Sequence, residues 1–239
     1  MSADARAGLR QGVVIVAGGT GRRMGEGIPK QYREIAGKAV ILHTLDRFLA
    51  FDPEISIVVV LAPGHMEYWD RIVATSEYPF AAPAAKRITL APGGETRYGS
   101  VKSGLLKMDR GVEVIGIHDA VRPLVSQATL ERCYGSAAES GSGIPVIEMD
   151  ETVRILKPEG HSEHMDRSML RRVQTPQVFR AEIIREAYRL PFHASFTDDA
   201  SVYEALYGEV QLVNGNAENI KITTPADLIL AGQLLESPG

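Results

Sequence analysis

The sequence predicts an α/β fold of Rossmann-like type, a mostly parallel sheet with helices on both faces and a protruding β-arm. Val- and Ile-rich runs alternate with segments of helical periodicity, the pattern of βαβ crossover units. A glycine-rich stretch directly follows the first of those runs, where open α/β sheets bind ligands beyond the carboxyl end of a strand. The elements then fall in order. VVIVA at 13–17 is the first strand; Ile41, Leu42, Leu45, Phe48 and Leu49 mark a helix, and ISIVVVL at 55–61 a strand buried on both faces. Met66, Trp69, Ile72 and Val73 give an amphipathic helix, RITLA a strand, Val101, Leu105 and Met108 a helix, and VEVIGIH at 112–118 a strand. Leu130, Cys133, Tyr134 and Ala137 make a helix capped by Ser126, followed by the strand IPVIEM. From about 150 to 172, short charged pieces around HSEH predict an arm outside the sheet. The core resumes with VQTPQVF, a helix carrying Ile183, Ile184, Ala187 and Tyr188, and a second helix entered through Thr197, Asp198 and Asp199. NIKIT predicts a short strand. Thr224, Pro225 and Asp227 predict the N-cap, first turn and reciprocal cap of a terminal helix. This gives a flexible leader at 1–12 and one domain over 13–239.

Composition restricts the partners. A formal net charge of -4 argues against nucleic acid or an anionic membrane, both of which call for clustered Lys and Arg. One cysteine, Cys133, allows no internal disulfide and fits a reducing compartment. No apolar run approaches membrane-spanning length, and MSADARAGLRQG lacks the apolar centre of a signal peptide, so a cytoplasmic location is expected.

The chemistry concentrates in VAGGTGRRMGEGIPK. Glycines allow backbone N–H groups to converge on an anion, and Arg22, Arg23 and Lys30 add three cations, a set suited to a triphosphate whose α-phosphorus gains negative charge under attack. No Gly-Lys-Ser/Thr follows, and Met24 stands where a dinucleotide fingerprint has its third glycine. Of the two adjacent arginines, one is expected to face the phosphates and the other to turn away. Asp119, in HDAVRP at a strand end, is the candidate Mg²⁺ ligand, its plain alternative being a turn residue. His118 reads as a packed strand-end residue, and His161 and His164 as a solvated pair. PGGETRYGSV offers a second glycine-bearing loop with Ser100, FTDDAS a helix start explained by capping, and Lys221 a cation that points to a buried anion or lies on an edge strand.

Taken together, VAGGTGRRMGEGIPKQY, HDAVRP, DRSMLRRVQTPQVF, TDDAS and AENIKITTPADL resemble the 2-C-methyl-D-erythritol 4-phosphate cytidylyltransferase family, over about 13–235. The resemblance implies transfer of CMP from CTP to methylerythritol phosphate with Mg²⁺, in the non-mevalonate route to isoprenoids. It implies Arg23, Lys30 and Lys221 as catalytic cations. Ala17, Gly18, Gly19, Thr20, Gly94, Ser100 and Ala120 would lie around CTP, with Asp119 on the metal. Thr152, Arg167, Thr197 and Arg122 would hold the acceptor, Thr152 and Arg167 being supplied to the neighbouring site by the arm of a homodimer. The sequence departs from the family pattern at Gly18, at Glu95 and in ETVRIL around Thr152. Ribitol 5-phosphate cytidylyltransferase shares the chemistry; a nicotinamide-dependent oxidoreductase and a non-catalytic nucleotide sensor are the readings from other classes.

Overall fold

The computed structural model describes residues 8–18, 27–75 and 88–236; Gly19, Thr20, Arg22 and Arg23 lie outside the described residues. The chain forms β1 (Gln11–Ala17), β2 (Glu34–Ile35), β3 (Lys38–Ala39), α1 (Val40–Phe51), β4 (Ser56–Leu61), α2 (Met66–Thr75), β5 (Ile88–Pro92), α3 (Arg97–Lys107), β6 (Val114–Asp119) and α4 (Gln127–Ser140). There follow β7 (Ser142–Glu148), β8 (Val153–Leu156), β9 (Ser162–Met165), β10 (Arg171–Val173), β11 (Gln177–Arg180), α5 (Ala181–Ala187), α6 (Asp199–Tyr207), β12 (Leu212–Asn214) and α7 (Pro225–Glu236).

The main sheet runs β10-β7-β11-β6-β1-β4-β5, with β12 on β7. β1 pairs in parallel with β4 and β6, β4 with β5, and β7 with β12. β11 lies antiparallel between β6 and β7. Alternate residues of β1 feed the two faces: Val13, Ile15 and Ala17 pack with Ile41, Leu45 and Phe48 of α1 and Leu130 and Tyr134 of α4. Val14 packs on the other face with Tyr98, Val101 and Leu105 of α3 and Ile184 of α5. Burial on both faces is why these strands read as unbroken Val/Ile runs.

Helix starts follow capping chemistry. Thr96 accepts from Gly99 N–H (3.0 Å) at α3, and Ser126 from Thr129 N–H (3.1 Å) at α4, which ends at Gly141 in a left-handed conformation, φ 92°. At α7, Asp227 Oδ2 accepts from Thr224 N–H (2.8 Å) while Thr224 Oγ1 accepts from Asp227 N–H (3.3 Å), the expected reciprocal pair.

Four boundaries differ from the sequence reading. Gln11 and Gly12 belong to β1 and Arg10 N–H donates to Glu113, so the leader at 1–12 is shorter than expected. The arm is an antiparallel hairpin of β8 and β9, but Arg171 and Arg172 have already rejoined the main sheet against Ile147 and Glu148. NIKIT is not a strand: Ile222 N–H donates to Val121 C=O, and Ile222 is buried with Val121 and Leu124 beneath α7, so its apolar alternation reflects packing rather than a ladder. VQTPQVF is not continuous either. Val173 faces Val146 but Val178 faces Gly143, so five steps along one strand match three along the other. Gln174 N–H still donates to Pro145 C=O (2.8 Å), and the two extra residues push Thr175 and Pro176 out of the ladder.

Candidate active site

Strand order reverses at β1: the chain moves from β1 to β4 and β5 on one side, then returns to β6 on the other. The carboxyl ends of β1 and β6 therefore part to form a crevice. Ala17 ends β1 with Gly18 directly beyond it, and Asp119 ends β6.

One wall is built by the loop before α3. Ser100 Oγ accepts from Gly94 N–H (3.1 Å) and donates to Thr96 C=O (3.0 Å). A Cβ on Gly94 would come within 2.9 Å of the Gly99 carbonyl carbon, and one on Gly18 within 3.1 Å of Ser100 Oγ. Gly18 thus meets the loop of Gly94 and Ser100, far from it in sequence, and the close approach of backbones requires glycine at 94. Ala120 stands apart from them. It is fully buried, its N–H donates to Val16 and its C=O accepts from Thr44, so it supports the turn behind Asp119.

The opposite wall carries Lys30. Buried Gln31 donates through Nε2 to Ala17 C=O (2.8 Å), tying the 29–32 turn to the end of β1, while Tyr32 stacks on Tyr68 with centroids 5.3 Å apart. Lys30 Nζ is thereby held at Ile222 C=O, 3.0 Å away. The neighbouring Lys221 reaches Asp119 Oδ2 at 2.9 Å, so the cation expected to seek a buried anion finds one.

Asp119 is the centre of charge. Its side chain is only 10% exposed, with Arg122 Nε 3.5 Å from Oδ2 and Arg97 Nε 3.8 Å from Oδ1. Burial by itself would raise its pKa, but Arg97, Lys221 and Arg122 override this and hold the carboxyl well below the usual range. It is ionised at any working pH. Arg122 donates through Nη1 to Asn219 C=O (2.7 Å), while its buried Nε–H makes no hydrogen bond.

Behind the cluster runs a chain of hydrogen bonds that sequence alone did not disclose. Asp119 N–H donates to Thr175 Oγ1 (3.1 Å), which lies 3.1 Å from His118 Nδ1, while His118 Nε2 lies 3.0 Å from Arg122 C=O. A carbonyl can only accept, so Nε2 carries the proton and Nδ1 accepts from the Thr175 hydroxyl. The extra residues between β10 and β11 place Thr175 here; no spacing rule marks it. Burial lowers the His118 pKa to about 4. The unfolded chain, with an ordinary histidine near 6.5, binds a proton that the folded state refuses, so stability falls as pH drops from about 6.5 to about 4, by roughly 3 kcal/mol in all. His43 and His65 are lowered by burial too and add to the slope. Urea unfolding at pH 7 and pH 5 should show this loss, and His118→Gln should reduce it; an unchanged slope would exclude His118 as its main source.

The remaining expected residues lie outside this cluster. Thr197 is exposed one residue before Asp198, which caps α6. Thr152 and Arg167 are exposed on the arm, where Arg167 donates to Asp150 C=O; no described contact joins either to Asp119. His161 and His164 are exposed on the hairpin, and among the described residues no three His, Cys, Asp or Glu side chains cluster as metal ligands.

This geometry, a glycine-lined crevice at a strand-order reversal with a carboxylate among cations, suits transfer of a nucleotide between phosphates. The family model for 2-C-methyl-D-erythritol 4-phosphate cytidylyltransferase matches residues 12–237. Relatives carrying that name include one from Phocaeicola vulgatus, 46% identical over 95% of this chain and 100% of the relative, and one from Bacteroides fragilis, 47% identical over 93% and 98%. Among solved structures, 4-diphosphocytidyl-2C-methyl-D-erythritol synthase from Anaerococcus prevotii superposes with a TM-score of 0.80 at 25% identity, over 99% of this chain and all of that one. The Thermus thermophilus cytidylyltransferase gives 0.74 at 29% identity, over 96% and 100%. Fold, crevice and near-full-length likeness agree: the chain belongs to the 2-C-methyl-D-erythritol 4-phosphate cytidylyltransferase family and is a nucleotidyltransferase.

Proposed function

We propose that the chain transfers CMP from CTP to 2-C-methyl-D-erythritol 4-phosphate, releasing pyrophosphate and forming 4-diphosphocytidyl-2-C-methyl-D-erythritol. The observation that carries this reading is Asp119 at the end of β6, ringed by Lys221, Arg122 and Arg97 and opposite the wall formed by Gly18, Gly94 and Ser100. An oxygen of the acceptor phosphate attacks the α-phosphorus, and the bond to the bridging oxygen of pyrophosphate breaks. Negative charge grows on the α-phosphoryl oxygens, and fixed cations stabilise it most when they need not reorganise. Lys30, anchored on Ile222 C=O, and Lys221, anchored on Asp119, are such cations. Arg23, outside the described residues, is assigned to the same task.

A single ionised carboxylate fits Mg²⁺, which takes one or two protein carboxylates together with substrate phosphates and water. Asp119 would hold the ion, which would neutralise phosphate charge at the reacting centre. Thr197 and Arg122 are assigned to orient the acceptor. Thr152 and Arg167 are assigned to the neighbouring site in a homodimer, a reading supported by the apolar side chains that the arm exposes, Leu156 at 81% and Met169 at 79%. A cytoplasmic location belongs to the same proposal; among the described residues no helix is long and apolar enough to cross a membrane.

Pyrophosphate release from CTP, ATP, GTP and UTP with each of two acceptors tests the reading. Turnover should be strong only with CTP and methylerythritol phosphate, whereas ribitol phosphate as the sole productive acceptor would reassign the substrate. For the arm, Arg167→Ala should impair acceptor use while CTP binding is kept. Mixing that variant with inactive Lys30→Ala chains should restore part of the activity through hybrid dimers with one intact site; demonstrated subunit exchange without recovery would exclude shared sites.

A further inference from the structure

Arg97 has a second carboxylate partner. Its guanidinium makes two parallel hydrogen bonds to Asp199, Nη1 to Oδ1 at 2.9 Å and Nη2 to Oδ2 at 2.7 Å, whereas its Nε stands back from Asp119 Oδ1 at 3.8 Å. A planar fork held by two bonds cannot pivot without breaking one of them. Asp199 is itself immobilised. It is fully buried, accepts the Tyr188 hydroxyl at 2.6 Å, and opens α6 just after Asp198, which caps the helix through Ser201 and accepts from Gln177 Nε2. Tyr188 is fixed in turn by stacking on Tyr98, centroids 4.7 Å apart.

The two oxygens of Asp119 are therefore unequal. Lys221 and Arg122 both lie on Oδ2, while Oδ1 faces only Arg97 among the ion pairs described. A shift of about 1 Å would bring Arg97 to hydrogen-bonding distance and close that oxygen. We infer that Asp199 is a positioning residue that holds Arg97 off Asp119 Oδ1 and so keeps this oxygen open to the divalent cation accompanying the nucleotide. The inference rests on the metal role given to Asp119 above. Without the Asp199 charge, Arg97 turns to the remaining carboxylate and competes with the metal.

The test is Mn²⁺ affinity of the enzyme in the presence of CTP and absence of acceptor, read by water-proton relaxation, which distinguishes enzyme-bound from free Mn²⁺·CTP. Asp199→Asn should weaken Mn²⁺ binding by about tenfold through the approach of one unit charge. Tyr188→Phe, which removes a single hydrogen bond to Asp199 and keeps the ring, should act in the same direction by about two- to threefold, and it serves if the first variant does not fold. Adding Arg97→Met to Asp199→Asn removes the competing cation and should bring the affinity back to within about threefold of the wild type. Equal Mn²⁺ affinity in wild type and Asp199→Asn would overturn the positioning role alone, as would a double variant that stays as weak as the single one. No enzyme-bound Mn²⁺ even in the wild type would overturn both this role and the assignment of Asp119.

Discussion

Asp119→Asn is expected to lower kcat by about 10³-fold, at the upper end of what loss of one preorganised electrostatic group costs. Two effects add. A neutral amide is a poor ligand for a hard divalent ion, and it leaves Lys221 and Arg122, which now converge on Oδ2 at 2.9 and 3.5 Å, without the charge that orients them. Unpaired cations beside a buried site also spread apart, so the melting temperature should fall as well. Single-turnover transfer from labelled CTP, with circular dichroism to verify folding, separates the chemical effect from the structural one. Near-normal turnover at low Mg²⁺ would reduce Asp119 to a turn residue.

Lys30→Met should lower kcat by about 10²-fold with less than about threefold change in the KM for CTP, because the α-phosphate gains its charge only as the new bond forms. Methionine keeps the apolar stem and removes the hydrogen bond to Ile222 C=O. The anchor of the turn is elsewhere, in Gln31 on Ala17 C=O, so the neighbouring backbone should hold its place. Steady-state kinetics over a range of CTP concentrations decides between the two ways of losing activity. A rise confined to KM would make Lys30 a ground-state binding group only.

The sheet was legible because β1 and β4 are buried on both faces and must be apolar throughout. Asp119 and the glycines were legible for a related reason: ligand groups in such folds gather at strand ends, and strand ends can be read from where a Val/Ile run stops. What pairs across long sequence separation was not. Arg97 and Asp199 lie 102 residues apart, and TDDAS carries a capping signal that is correct for Asp198 and conceals the different work of Asp199. NIKIT misled because alternating burial looks alike on a strand and on an extended segment packed flat; here Asn219 is fully buried and donates to Thr175 C=O (2.9 Å), which fixes the segment without a ladder. β12 escaped notice because three residues at a sheet edge, two of them exposed, leave no periodic trace.

The Lys30 to Ile222 contact spans 192 positions, which sets an order on how the enzyme comes into being. During synthesis the first strands and the glycine loop emerge early, yet the carbonyl that seats Lys30 appears 192 positions after it, with Lys221 beside that carbonyl. A ribosome-bound fragment ending before Asn219 can pair β1 with β4 and β6 and hold Asp119 at its strand end, but it lacks both the seat and the second lysine. Sheet assembly and the seating of Lys30 are thus separated in time, the second waiting until the segment at 219–222 has left the exit tunnel and docked.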